Sequence, residues 1–221
     1  MSEVMRGSRG LLKRMPKLMH WAMAAVAVPA AGIAIAPQAA FAQFSDGYNF
    51  LKAVRDADGT KAMDLIQKPG GSTLINARDY KTGETALHIV VARRDLTWLN
   101  FMLSKGAKPD IANEAGDTPL MSAVQLRFAE GARLLISNGA TLDKPNDNGE
   151  TPLIRAVQLR DIAMVRMLVA QGANADKRDS IAGMSAREYA QRDSRTPGLL
   201  DALSSAKAAT EAKAPVQGPS F

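Results

Sequence analysis

Glycine returns along this chain at a fixed step. Gly83, Gly116 and Gly149 stand 33 residues apart, and Gly183 follows after 34. A second series, Gly106, Gly139 and Gly172, keeps the 33-residue step, and alanine follows each of its members. Between the two series run Thr85-Ala86-Leu87-His88, Thr118-Pro119-Leu120-Met121 and Thr151-Pro152-Leu153-Ile154. A unit of this length cannot enclose a core alone. Stacking against like neighbours is what hides its apolar face, so the repeat restricts the chain to a linear array.

The residue types within each unit say what is being stacked. Glycine at the turn supplies a positive φ without steric penalty. Thr118 and Thr151 fit the N-cap of a first helix, and Pro119 and Pro152 fit its first position, where an amide donor is not needed. Leu120, Ala123 and Val124, then Leu153, Ala156 and Val157, follow at offsets of three and four that define one helical face. A second helix carries Leu134, Leu135 and Ile136, then Val165, Met167, Leu168 and Val169. It stops at Gly139 or Gly172, the expected left-handed C-cap. Met102, Met121, Met164 and Met167 fall at helical core positions, where packing is the default role.

These Thr-Pro-Leu and Gly-Ala elements in shared register resemble the ankyrin repeat family, over about residues 45–203. The resemblance implies an all-α solenoid, each unit a β-turn followed by two antiparallel helices, and a non-catalytic protein-binding role through a concave face. We expect an N-terminal capping repeat at 43–78, full repeats at 79–112, 113–145 and 146–178, and a C-terminal capping repeat at 179–203. Phe50, Leu51 and Val54, with Leu65-Ile66, supply the first cap. Gly183-Met184-Ser185-Ala186 opens the last, which Leu199, Leu200 and Leu203 complete after Pro197. The segments Asn76–Asp79, Asp110–Asn113, Asp143–Asn146 and Asp176–Asp179 echo one another, so the inter-repeat loops are expected to share a form. Residues 204–221 are rich in Ala, Lys, Pro and Ser and read as a flexible tail.

Composition narrows function. With no cysteine, disulfides, thiolate metal sites and cysteine nucleophiles are excluded. The net charge of +6 is concentrated in residues 1–42, where Arg6, Arg9, Lys13, Arg14 and Lys17 face only Glu3. The other 179 residues hold 23 basic and 21 acidic side chains, so they lack the footprint of a nucleic-acid binder. The basic head, the apolar run Leu18–Ala36 and the Ala40-Phe41-Ala42 ending form a secretory signal peptide at 1–42, cleaved before Gln43. A retained membrane anchor is the alternative. We therefore expect an exported monomer in the periplasm of a Gram-negative bacterium, with no membrane span after cleavage and another periplasmic or envelope-associated protein as partner.

No phosphate loop, nucleophile elbow or metal-ligand spacing occurs, so no catalytic residue, metal or cofactor is assigned. His88 occupies a position where the family uses histidine for hydrogen bonds within and between repeats. Stacking also creates candidate partner-binding rows. Glu84, Asp117 and Glu150 follow the turn glycines, and Arg94, Arg127 and Arg160 end the first helices, where the family usually has glycine. Gln125-Leu126 and Gln158-Leu159 repeat just before those arginines, with the leucines expected as exposed apolar anchors. Scaffolding or inhibition of another exported protein is the expected function. A small enzyme or accessory factor of envelope stress defence is the alternative.

Overall fold

The computed structural model describes residues 37–204. Nine α-helices lie within them: α1 (Pro37–Arg55), α2 (Gly59–Gln67), α3 (Ala86–Ala92), α4 (Leu96–Ser104), α5 (Pro119–Gln125), α6 (Ala129–Ser137), α7 (Pro152–Gln158), α8 (Ile162–Ala170) and α9 (Ala186–Arg192). A 3-10 helix at Gly71–Asn76 follows α2, and a further helical segment spans 199–204. Among the described residues there is no strand beyond one isolated bridge between Arg178 and Ser185. The architecture is all-α.

The helices pair within units as α1–α2, α3–α4, α5–α6 and α7–α8, and first helices pack in succession as α1, α3, α5, α7 and α9. One core runs through all of them. Phe50, Leu87, Leu120 and Leu153 are 0–1% exposed, and Leu99, Leu135 and Leu168 continue the same core along the second helices. Burying such a side chain contributes roughly 1.5–3 kcal/mol. Thr118 and Thr151 accept from the amides of Met121 and Ile154, capping α5 and α7 with proline at the first position. The second helices stop at Gly106, Gly139 and Gly172, all with positive φ.

The spacing of 34 before Gly183 has a local cause. The turns Asn113–Asp117 and Asn146–Glu150 close in five residues, with Asn113 N–H donating to Asp117 and Asn146 N–H to Glu150. Those at Asp79–Glu84 and Asp179–Met184 take six. In each turn the leading Asx side chain caps downstream amides: Asp79 those of Lys81 and Thr82, Asn113 those of Ala115 and Asp117. Asn146 and Asp179 act alike. The shared loop form is thus an Asx turn.

The terminal units differ in detail from expectation. The helix α1 begins at Pro37, so the expected cleavage bond after Ala42 lies inside it. The rest of the leader, and the tail from 205 onward, lie outside the described residues. In the last unit Leu199 and Leu203 are buried at 1%, whereas Leu200 is 42% exposed. The segment is short and packs one face only, so Leu200 points away from the core.

Candidate functional site

The acids of the expected row sit between a left-handed glycine and an N-cap threonine, and all three are half-buried. Their surroundings are mostly neutral. Gln125 reaches back along α5 to donate to Asp117 at 2.9 Å, and Gln158 does the same along α7 to Glu150 at 2.8 Å. A long side chain on a helix leans toward its N-terminus, which is what lets a residue eight positions downstream close this contact. Asn146 of the following turn donates to the other Asp117 oxygen at 3.0 Å. Glu84 accepts from the Thr82 hydroxyl at 3.2 Å; no glutamine answers it, because Ala92 stands at the equivalent place. In the last unit the pair becomes Met184 and Arg192, which meet at 3.0 Å. The full acid–glutamine pair is therefore confined to the two middle units.

Beside the second pair, Arg155 donates to the Gln158 carbonyl oxygen at 3.1 Å and stands 4.0 Å from Glu150. Its Nε is buried without a hydrogen-bond partner among the described residues. Asp179 is buried and accepts the Tyr189 hydroxyl at 2.6 Å. Burial opposes its ionisation, but that hydroxyl and the Ala182 and Met184 amides outweigh it and hold the carboxyl below its usual range. The same bond raises the Tyr189 phenol.

The arginines do something the sequence does not announce. Arg94, Arg127 and Arg160 have φ of 54–55° although each bears a Cβ. The turn keeps the left-handed geometry that glycine would give, at a strain of order 1 kcal/mol per residue. The guanidinium of Arg94 donates to the carbonyl of Leu126, and that of Arg127 to the carbonyl of Leu159 at 2.5 Å. Arg160 closes the series on Asp193 at 2.6 Å. Each arginine thus fastens its own inter-helix turn to that of the next unit. At the first junction the link runs the other way, Arg93 donating back to the Val54 carbonyl at 2.5 Å.

The expected exposure of Leu126 and Leu159 needs correction. Both are half-buried C-caps of α5 and α7, and Leu126 packs against the core. Their carbonyls serve the arginine series, and that close approach of neighbouring turns covers them.

His88 is held on both ring nitrogens. Nδ1 accepts from the Thr85 amide at 3.1 Å and meets its hydroxyl at 3.0 Å, while Nε2 donates to the Asp117 carbonyl at 2.9 Å. These partners fit the neutral ring, and burial pushes its pKa down. The histidine therefore bonds within its unit and across to the next.

A family model described as ankyrin repeats, in three copies, matches residues 51–146 and 87–179. The chain belongs to the ankyrin repeat family. Ankyrin repeats are protein–protein interaction modules, and the candidate rows lie on the segments where this stack is most regular. Among the described residues, no group of three or more His, Asp or Glu side chains is arranged to hold a metal ion. No helix among them is long and apolar enough to cross a membrane. Sequence reasoning missed the inter-unit Asx series, in which an Asn or Asp side chain accepts from an amide of the next unit. Asn76, Asp110 and Asp143 accept from the amides of Lys108, Thr141 and Asn174 at 2.8–3.0 Å. The signal was present in the echo of the inter-repeat segments, but only stacking reveals the acceptor–donor pairs.

Proposed function

We propose that this ankyrin stack is a non-catalytic binding module for another exported protein, engaged through the surface on which the acid–glutamine pairs lie. The observation that carries the reading is the neutral company of Glu84 and Asp117; Glu150 alone of the row has a cation near, Arg155 at 4.0 Å. Glu84 and Asp117 are bonded to hydroxyl and amide groups rather than to cations, so folding leaves their charge unanswered. A basic partner surface supplies the missing counter-charge and gains both encounter rate and specificity from it. The alternative of an enzyme finds no support in His88, whose two nitrogens are already engaged.

Export follows from the basic head, apolar run and Ala40-Phe41-Ala42 ending, and places the partner in the periplasm or envelope. Two measurements test the proposal. N-terminal sequencing of protein from the periplasmic fraction is expected to begin at Gln43; intact Met1 on cytoplasmic protein overturns the export reading. Crosslinking in the native envelope, followed by mass spectrometry, is expected to capture a stoichiometric partner that is lost when Glu84, Asp117 and Glu150 are all changed to Lys. A partner bound equally well by the triple variant at low salt removes the acidic row from the interface.

A further inference from the structure

The acids just described are half-buried at the base of the turns; the tips beyond them form a surface of their own. Consecutive tips are joined by backbone hydrogen bonds. Glu114 N–H donates to Thr82 at 2.9 Å, Asp147 N–H to Ala115 at 3.2 Å, and Ser180 N–H to Asn148 at 2.9 Å. Each tip is further fixed by its Asx turn, and space is tight. A Cβ on Gly116 would lie 2.5 Å from the Asp147 amide nitrogen, and one on Gly149 would lie 2.5 Å from that of Ser180. The four tips are thus a single pre-organised edge, which lowers the ordering cost of binding.

Its chemistry is graded from end to end. The segments 79–84, 113–117, 146–150 and 179–184 hold seven carboxylates and one lysine, Lys81. Arg78 answers Glu114 at 3.1 Å and Arg55 answers Asp79 at 2.7 Å. Asp147, exposed in the middle of the edge, takes no ion pair among the described residues, and neither do Glu84 and Asp117 behind it. Both long turns carry an exposed apolar group. Tyr80 and Ile181 are each 74% exposed, the most exposed large hydrophobics among the described residues. At the Tyr80 end lies an open cleft of about 600 Å³, where Tyr48, Leu51, Leu74 and Ala77 form an apolar wall beside Arg78, Asp79 and Glu114, with room to spare for a large side chain. Nothing in the turn geometry asks for tyrosine or isoleucine at those positions, and burying them needs a second surface.

Resting on the binding role proposed above, we infer that this edge docks a basic segment of a separate protein, with a large apolar side chain seated in the Tyr48–Tyr80 cleft. Lysine or arginine of that segment lies along Asp147 and the acids behind it, and a second apolar group meets Ile181.

The test places a photo-crosslinking benzoylphenylalanine, one site at a time, in the full chain in producing cells. Tip sites are Tyr80, Asp147 and Ile181; comparison sites are Ser122 and Arg155 on the first helices and Arg133 and Arg166 on the second. The expected result is capture of one protein from all three tip sites, through a peptide rich in Lys or Arg with large apolar residues beside them. With that protein in hand, Asp147→Lys together with Glu84→Lys should slow association about tenfold at low salt. Tyr80→Ser should speed dissociation by a similar factor, with the melting transition unchanged in both. Capture from the helix sites alone, or tip crosslinks to a neutral or acidic peptide, overturns this inference and leaves the binding role standing. Capture from no site overturns both.

Discussion

The two most informative side chains fail to behave as their residue types suggest. His88 is buried and its ring is kept neutral, with a pKa below the ordinary 6.5. The sign of its effect follows from linkage. The unfolded chain binds the proton more readily than the folded one, so stability is complete above pH 6.5 and falls as pH drops below it. Carboxylates with depressed values act at lower pH. Asp79, held at about 2 by the Lys81 amide and then by Arg55, loses its contribution only as pH falls below about 3.8. Urea denaturation between pH 7.5 and 5 is therefore expected to show a declining midpoint that His88→Gln largely abolishes. Arginine in a left-handed turn makes the second expectation. Arg127→Ala loses the bond to Leu159 and keeps the strain, while Arg127→Gly loses the bond and relieves it. The glycine variant should be the more stable of the two by about 1 kcal/mol, which denaturant titration of both will measure.

Single helices here are too short to persist alone. The helices α3, α5, α7 and α9 have seven residues each, well under the length at which an isolated helix is stable in water. Caps start them, glycines or left-handed arginines stop them, and packing between first helices holds them. Leu120 is 0% exposed at the start of α5, between α3 and α7. Leu120→Ala should cost about 2–5 kcal/mol, and hydrogen exchange should quicken in α3 and α7 as well as α5. Exchange that quickens in α5 alone would contradict the coupling. The turns respond differently. Gly116→Ala forces a Cβ against the Asp147 backbone at positive φ. It should lower stability and disorder two adjacent tips, seen as lost protection of the Asp147 amide, while the second helices keep theirs.

Across the whole stack, the last unit is a modified copy rather than a foreign cap. Ser185 and Glu188 rebuild the capping box, Arg187 turns outward to Asp176 at 2.9 Å, and Leu199 and Leu203 close the core. In place of another arginine, Asp193 accepts from Arg160 and ends the series. Truncation after residue 178 removes that acceptor and strips the cover from α7, which packs on α9. The shortened chain is expected to melt earlier and to self-associate through the bared face. Differential scanning calorimetry with light scattering will show both, and a monomer with unchanged melting would argue against the closing role.

The sequence by itself determined the unit, its register, the threonine caps that start the middle first helices, the glycines that stop the second helices, and most of the buried face. Those follow from local rules: caps and left-handed glycines act within a few residues, and offsets of three and four set a face whatever the fold around it. It also pointed to His88 through a family pattern. Tertiary structure decided the rest. That Arg94 meets the carbonyl of Leu126, 32 residues away, and that Asp117 is shared by Gln125 and Asn146, depends on how one unit lies over the next. The same superposition half-buries Leu126 and Leu159 while leaving Tyr80 and Ile181 in solvent. Hydrophobicity is a property of a residue, but exposure is a property of its neighbours, and in a stack most neighbours come from another unit.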